Sequence, residues 1–190
     1  MPLGKKWGLV SGIAYTKTQI TIEPKKIFAQ MDNDGKVKYR FDCSSGYTYL
    51  SPKTVASPTT VGDSISVTES SNKTQYIGIP LAINYTFSLG KFSIIPTVGA
   101  MANFSTRQQI ETSLVQGSVK ETQTTNNIQG SKETYFNAFT NIAFEYNIGK
   151  RWAISFAPGA NFALTSTTKN ATVKSYPNSF GLTSGIKIKL

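Results

Sequence analysis

At 190 residues, with 39% apolar and 12% aromatic side chains, the chain is too apolar for a disordered polypeptide and has the length of one domain, 1–190. Charged residues make up only 16%, and Ser, Thr and Asn fill their place, which suits an all-β protein with many exposed strands and turns. The net charge of +10 comes from Lys and Arg placed singly or in pairs, as at Lys25-Lys26 and Lys150-Arg151, a spacing that speaks for a solvated basic surface and against nucleic acid as a partner.

In chain order, Gly4-Lys5-Lys6 reads as a tight turn and Trp7 to Tyr15 as the strand it feeds. The same order, an aliphatic residue, Gly, Lys and then an aromatic that opens an alternating strand, returns at Leu89-Gly90-Lys91-Phe92 and at Ile148-Gly149-Lys150-Arg151-Trp152. The spacing predicts six strands, at 7–15, 76–87, 92–104, 136–148, 152–162 and 180–190. The Gly-Lys turns are the short connections; long polar ones lie at about 23–74, 106–134 and 166–178.

In the first long connection, Asp34-Gly35 predicts a hairpin turn between Ile27-Phe28-Ala29 and Val37 to Phe41. A calcium loop is disfavoured there, because the spacing of acidic ligands is not met. Lys36, Lys38 and Arg40 fall on one face of this hairpin and Val37, Tyr39 and Phe41 on the other. Lys36, Lys38, Tyr39 and Arg40 form the candidate partner-binding loop.

Each long strand has one apolar and one small or polar face. In 76–87, Ile77, Ile79, Leu81, Ile83, Tyr85 and Phe87 oppose Gly78, Pro80, Ala82, Asn84 and Thr86. On the apolar faces, Trp7 and Tyr15, Phe92 and Phe104, Phe136 and Tyr146, and Trp152 and Phe162 bracket their strands roughly 9 to 13 residues apart. Aromatic pairs at the two ends of about ten residues are the girdles of a membrane-spanning strand, whereas a soluble sandwich concentrates aromatics mid-strand. The small polar face suits the interior of a narrow barrel. Glu145 and Lys187 fall on it near the Gly-Lys end, where charges need partners, so one polar network is expected. Pro80, Pro96 and Pro158 sit within strands and predict local bulges.

The stretches PLGKKWGLVSGIAYT, YIGIPLAINYTF, FSIIPTVGAMANF, RWAISFAPGANFAL and FGLTSGIKIKL, in that order, resemble the small outer-membrane β-barrel domain widespread in Bacteroidetes, the group with PorT-like proteins and the barrel ends of some anti-sigma-factor fusions. The resemblance implies an antiparallel up-and-down transmembrane barrel of eight strands, of which this chain holds six long ones and lacks the first two. It implies outer-membrane lipid as the surroundings and the barrel-assembly machinery as the partner in insertion, the end Thr183 to Leu190 being similar to its recognition signal. Open edge strands and the loops outside are the places for a protein partner.

No stretch approaches the roughly 20 apolar residues of a transmembrane helix. The absence of histidine removes Ser-His catalysis and His-metal sites, and the one cysteine, Cys43, leaves no intrachain disulfide. No enzyme activity, metal or cofactor is expected. The expectation is an anchoring, surface-interaction or signalling barrel, with a soluble β-barrel or sandwich that binds a ligand or nucleic acid as the alternative.

Overall fold

The computed structural model describes residues 6–149, 151–169 and 174–188; among them there is no helix. All strands belong to one antiparallel sheet. It is organised around β9 (Phe92–Gln116), whose 25 residues run on well past the predicted end of the strand at 104. The lower half of β9 pairs with β7 (Ser70–Tyr85) on one side and with β11 (Thr134–Asn147) on the other. β11 continues to β12 (Trp152–Ala163), and β12 to β13 (Ser179–Ile188). Beyond β7 lie β1 (Trp7–Ser11) and β2 (Ala14–Ile22), and the short β8 (Phe87–Leu89) pairs with the foot of β9. This is the predicted up-and-down order. Among the described residues the sheet is open, with β1 and β2 towards one side and β13 at the other.

The prolines do not produce the expected bulges. They remove ladder hydrogen bonds while the register is kept, because a proline lacks the N–H the ladder needs. Ser11 faces Leu81 and Ala14 faces Gly78, so Gly12 and Ile13 stand opposite Pro80 and Ile79, and there the first strand divides into β1 and β2. Pro96 stands opposite the junction of β7 and β8, and Pro158 lies in the gap between the Asn141–Gly159 and Phe144–Phe156 pairs. In the lower sheet the expected Gly-Lys turn at Gly90 is formed with φ 66°. The Gly4-Lys5 turn and Lys150 lie outside the described residues, as do Lys189 and Leu190 of the terminal motif.

One bulge does occur, at a place the sequence did not mark. Gln75 pairs with Arg107 and Tyr76 with Ser105, which leaves Thr106 as an inserted residue in β9. An inserted residue exchanges the faces of everything after it. Below Thr106 the even residues of β9 point outward, Phe104 among them; above it Arg107, Gln109 and Glu111 point outward and Ile110, Thr112 and Leu114 inward, all three buried.

Those inward residues meet the first long connection, which is folded and not the polar loop expected. β3 (Lys25–Met31), β4 (Val37–Cys43), β5 (Gly46–Leu50) and β6 (Ser64–Val67) form a small sheet that joins β9 through β6. Ile27, Ala29, Tyr39, Phe41, Leu50, Val55, Ile65 and Val67 close on Ile110 and Leu114 as one core, with Cys43 packed at its margin. The predicted Asp-Gly hairpin is the β3–β4 turn of this cap. β10 (Val119–Thr125) folds back on β9 above it, and paired backbone hydrogen bonds between Tyr47 and Gln129 (2.9 and 2.7 Å) tie β5 to the segment after β10.

Leu114 is fully buried at the seam between cap and spine. Leu114→Ala is expected to cost about 2–5 kcal/mol of cap stability. Amide hydrogen exchange checks it: protection should fall at Tyr39, Phe41 and Leu50 and stay unchanged in β11 and β12.

Candidate functional site

The lower sheet is a single layer whose strands make their extensive contacts only with hydrogen-bonded neighbours. Its two faces nevertheless differ sharply. Inward side chains such as Ala82, Ser93, Ile95, Asn103, Asn137 and Ala153 are buried, while outward Leu81, Val98 and Ile186 are 60, 55 and 73% exposed. A lone layer buries one face only by curling towards it, and the small residues on that face allow the curl: a Cβ on Gly99 would lie 2.4 Å from that of Ala82.

All eight predicted girdle residues, Trp7, Tyr15, Phe92, Phe104, Phe136, Tyr146, Trp152 and Phe162, point outward and are 40–63% exposed. The lower row is stitched by ring contacts between Trp7 and Tyr85 (centroids 4.9 Å apart) and between Phe92 and Tyr146 (4.8 Å). In the upper row Phe162 meets Phe180 at 6.1 Å, and Tyr15, Ile77 and Phe104 stand side by side in register. Between the two rows Phe144 and Phe156 pair across β11 and β12 and also face outward. From Phe92 to Phe104 is twelve steps, about 40 Å along the strand and about 30 Å in height at the tilt of barrel strands.

Glu145 and Lys187 meet on the inner face as expected, with Nζ 2.9 Å from Oε1 across β11 and β13; Glu145 is buried and Lys187 half exposed. Higher on the same face lies a network that the sequence reading missed. The Asn103 amide donates to Asn137 Oδ1 (2.5 Å), Asn137 to Asn161 Oδ1 (3.2 Å) and Asn161 to Ser179 Oγ (3.3 Å), crossing four strands. Each donor needs the next residue's side-chain oxygen, so the register of β9, β11, β12 and β13 is set jointly. Asparagines at inward positions of three strands were the visible sign, but their alignment depends on register. Above them Tyr76 and Tyr135 pack edge to face at 5.1 Å.

The candidate partner-binding loop is rearranged by the fold. Tyr39 is inside the cap core, 4% exposed, and so does not present its ring outward. Lys38 is bonded to Asp32 (2.5 Å), and Arg40 bonds Asp42 (2.9 Å) while lying 4.0 Å over the Tyr47 ring. Lys36 is exposed beside the turn. The cap's carboxylates work as staples. Glu121 accepts from the Gln123 side-chain amide and from the backbone N–H groups of Thr54, Lys53 and Val55, which hold its pKa at about 2, and Asp63, bonded by the N–H groups of Thr60 and Thr59, is likewise at about 2.

Among the described residues no group of His, Cys, Asp and Glu is arranged to hold a metal. Compared with protein-family models, with curated proteins and with solved structures, the chain matches none.

Two tests follow from these contacts. Lys187→Met leaves Glu145 buried without its ion partner, whereas Glu145→Gln keeps a neutral acceptor for Lys187, so the lysine variant should be the less stable of the two, by about 1–3 kcal/mol; urea midpoints in detergent give the order. The Glu121 pKa is depressed from 4.5 to about 2, so its staple is fully in place above pH 4.5 and is lost as pH falls towards 2. The Lys53, Thr54 and Val55 amide resonances should shift over that window, and Glu121→Gln should abolish the shift.

Proposed function

We propose that the chain is the wall of a small, non-enzymatic outer-membrane β-barrel that carries a folded cap outside the membrane and acts in anchoring, surface interaction or signalling. The observation that carries this reading is the outward belt: an apolar surface, rimmed above and below by aromatics, with no layer of the described residues against it. Water is a poor covering for such a surface, and lipid is a good one. The estimated 30 Å between aromatic rows suits a hydrocarbon core of about that thickness.

In lipid an unpaired strand edge costs several kcal/mol for each unsatisfied backbone group. The sheet, open among the described residues, therefore needs further pairing at its β2 and β13 edges, and two more strands would complete the eight-stranded barrel that the sequence resembles. An eight-stranded barrel is filled by its own side chains. The inner face already holds the Glu145–Lys187 pair, the asparagine network and the Tyr76–Tyr135 contact, which favours a structural interior over a conducting one. The cap, with its own core, is the part suited to meet a protein partner.

Detergent dependence tests the reading. Without detergent or lipid the chain is expected to aggregate on size-exclusion chromatography, and in micelles to run folded, with heat-modifiable gel mobility. A monodisperse, folded chain in plain buffer would sink the membrane reading in favour of a soluble β-protein.

A further inference from the structure

The bulge at Thr106 has a second effect, on the outer surface just above the upper aromatic row. One outward row above Tyr15, Ile77 and Phe104 come Lys17, Gln75 and Arg107, adjacent in register on β2, β7 and β9. The row above that holds Gln19, Lys73 and Gln109. Had Thr106 been paired in regular alternation with no bulge, Arg107 would point inward and the lower of these rows would have one cation fewer. Lys17 and Arg107 are exposed, and Lys73 is half-buried. Neighbouring strands are about 4.8 Å apart, so the Lys17 and Arg107 backbones lie about 10 Å apart, and both side chains reach a group held over Gln75.

The carboxylates on this surface stand higher. Glu111 is in the next row, 3.3 Å from Lys73, and Glu23 and Glu69 flank the upper ends of β2 and β7. Charge is thus layered by height: aromatic ring, cations, then carboxylates. Lys17 and Arg107 lie about 7 Å along the strand above the aromatic row and Lys73 about 13 Å, the depth at which lipid phosphates sit above the hydrocarbon. Arg and Lys are the side chains that bind phosphate oxygens, Arg by two parallel hydrogen bonds.

We propose that Lys17, Lys73 and Arg107 form a binding site for the phosphate-bearing headgroup of a membrane lipid, in the leaflet next to the cap. The site rests on the membrane-spanning reading above. It would fix the height of the cap over the bilayer and hold one lipid against the β2–β7–β9 face.

The test reconstitutes the full chain into phosphatidylcholine vesicles with and without phosphatidic acid, then reads by native mass spectrometry which lipid stays bound after extraction. Wild type should retain phosphatidic acid over phosphatidylcholine, and Lys17→Gln/Lys73→Gln/Arg107→Gln should lower that preference on the order of a hundredfold. Lys36→Gln, a cap surface charge, should not change it. Equal retention by wild type and triple variant, with both folded by gel mobility, would overturn the site while leaving the membrane reading standing. Release of the lipid by millimolar inorganic phosphate would overturn the lipid assignment in favour of a free-phosphate site. Failure of wild type to insert into either vesicle would remove the membrane reading, and the proposal with it.

Discussion

β9 runs through both the lower sheet and the cap, and strict alternation along a strand would couple the facing of its two halves. In the lower half Ile94, Val98 and Phe104 face out and Ser93, Ile95 and Asn103 in; continued unbroken, that pattern would turn Ile110 and Leu114 outward and Arg107 inward. The extra residue at Thr106 uncouples the halves. Because of it the same strand is apolar outside below and apolar inside above, which is the change required where a surface passes from an apolar surrounding into water. The turning of Ile110 and Leu114 into the cap core and of Arg107 onto the outer surface depends on that bulge.

The lower sheet is held by different means. Its outward side chains gain little from one another in water, and its inward face is too small-residued for a conventional core. What specifies it is hydrogen bonding: the backbone ladders, the chain of asparagine amides and the Glu145–Lys187 pair. A polar network aligns strands more strictly than apolar contacts do, since an amide out of register loses its partner inside a surface that water reaches poorly. The prolines fit the same scheme. Each sits where the ladder bond of its missing N–H can be forgone without a shift of register, so the polar alignment above and below is kept.

The cap is conventional by contrast. Phe41, Leu50, Ile110 and Leu114 are fully buried, each contributing about 1.5–3 kcal/mol through burial. Its loops are pinned by carboxylates that accept several backbone N–H groups. Lys38 and Arg40, which alternate with the core residues of β4, are neutralised within the hairpin by Asp32 and Asp42. Lower down, Lys17 and Arg107 flank Gln75 on the exposed outer surface.

Much of the lower sheet was legible in the sequence, because alternation of period two and the Gly-Lys turns report directly on strands and on which face is apolar. The outward facing of all eight end-of-strand aromatics and the meeting of Glu145 with Lys187 follow from that periodicity and from strand order. The cap was not legible as a unit. Its strands are short, and their apolar residues are spread over 23–69 and 110–114, far apart in sequence and joined only when β6 pairs with β9. Nor could the bulge be read, since Thr106 looks like any other residue of a polar stretch; only the pairing of β9 with β7 makes it the extra one. Tyr39 shows the limit most plainly. The sequence placed it correctly on the face opposite Lys38 and Arg40, but whether that face met solvent or a core was decided by the β-strands folded over it.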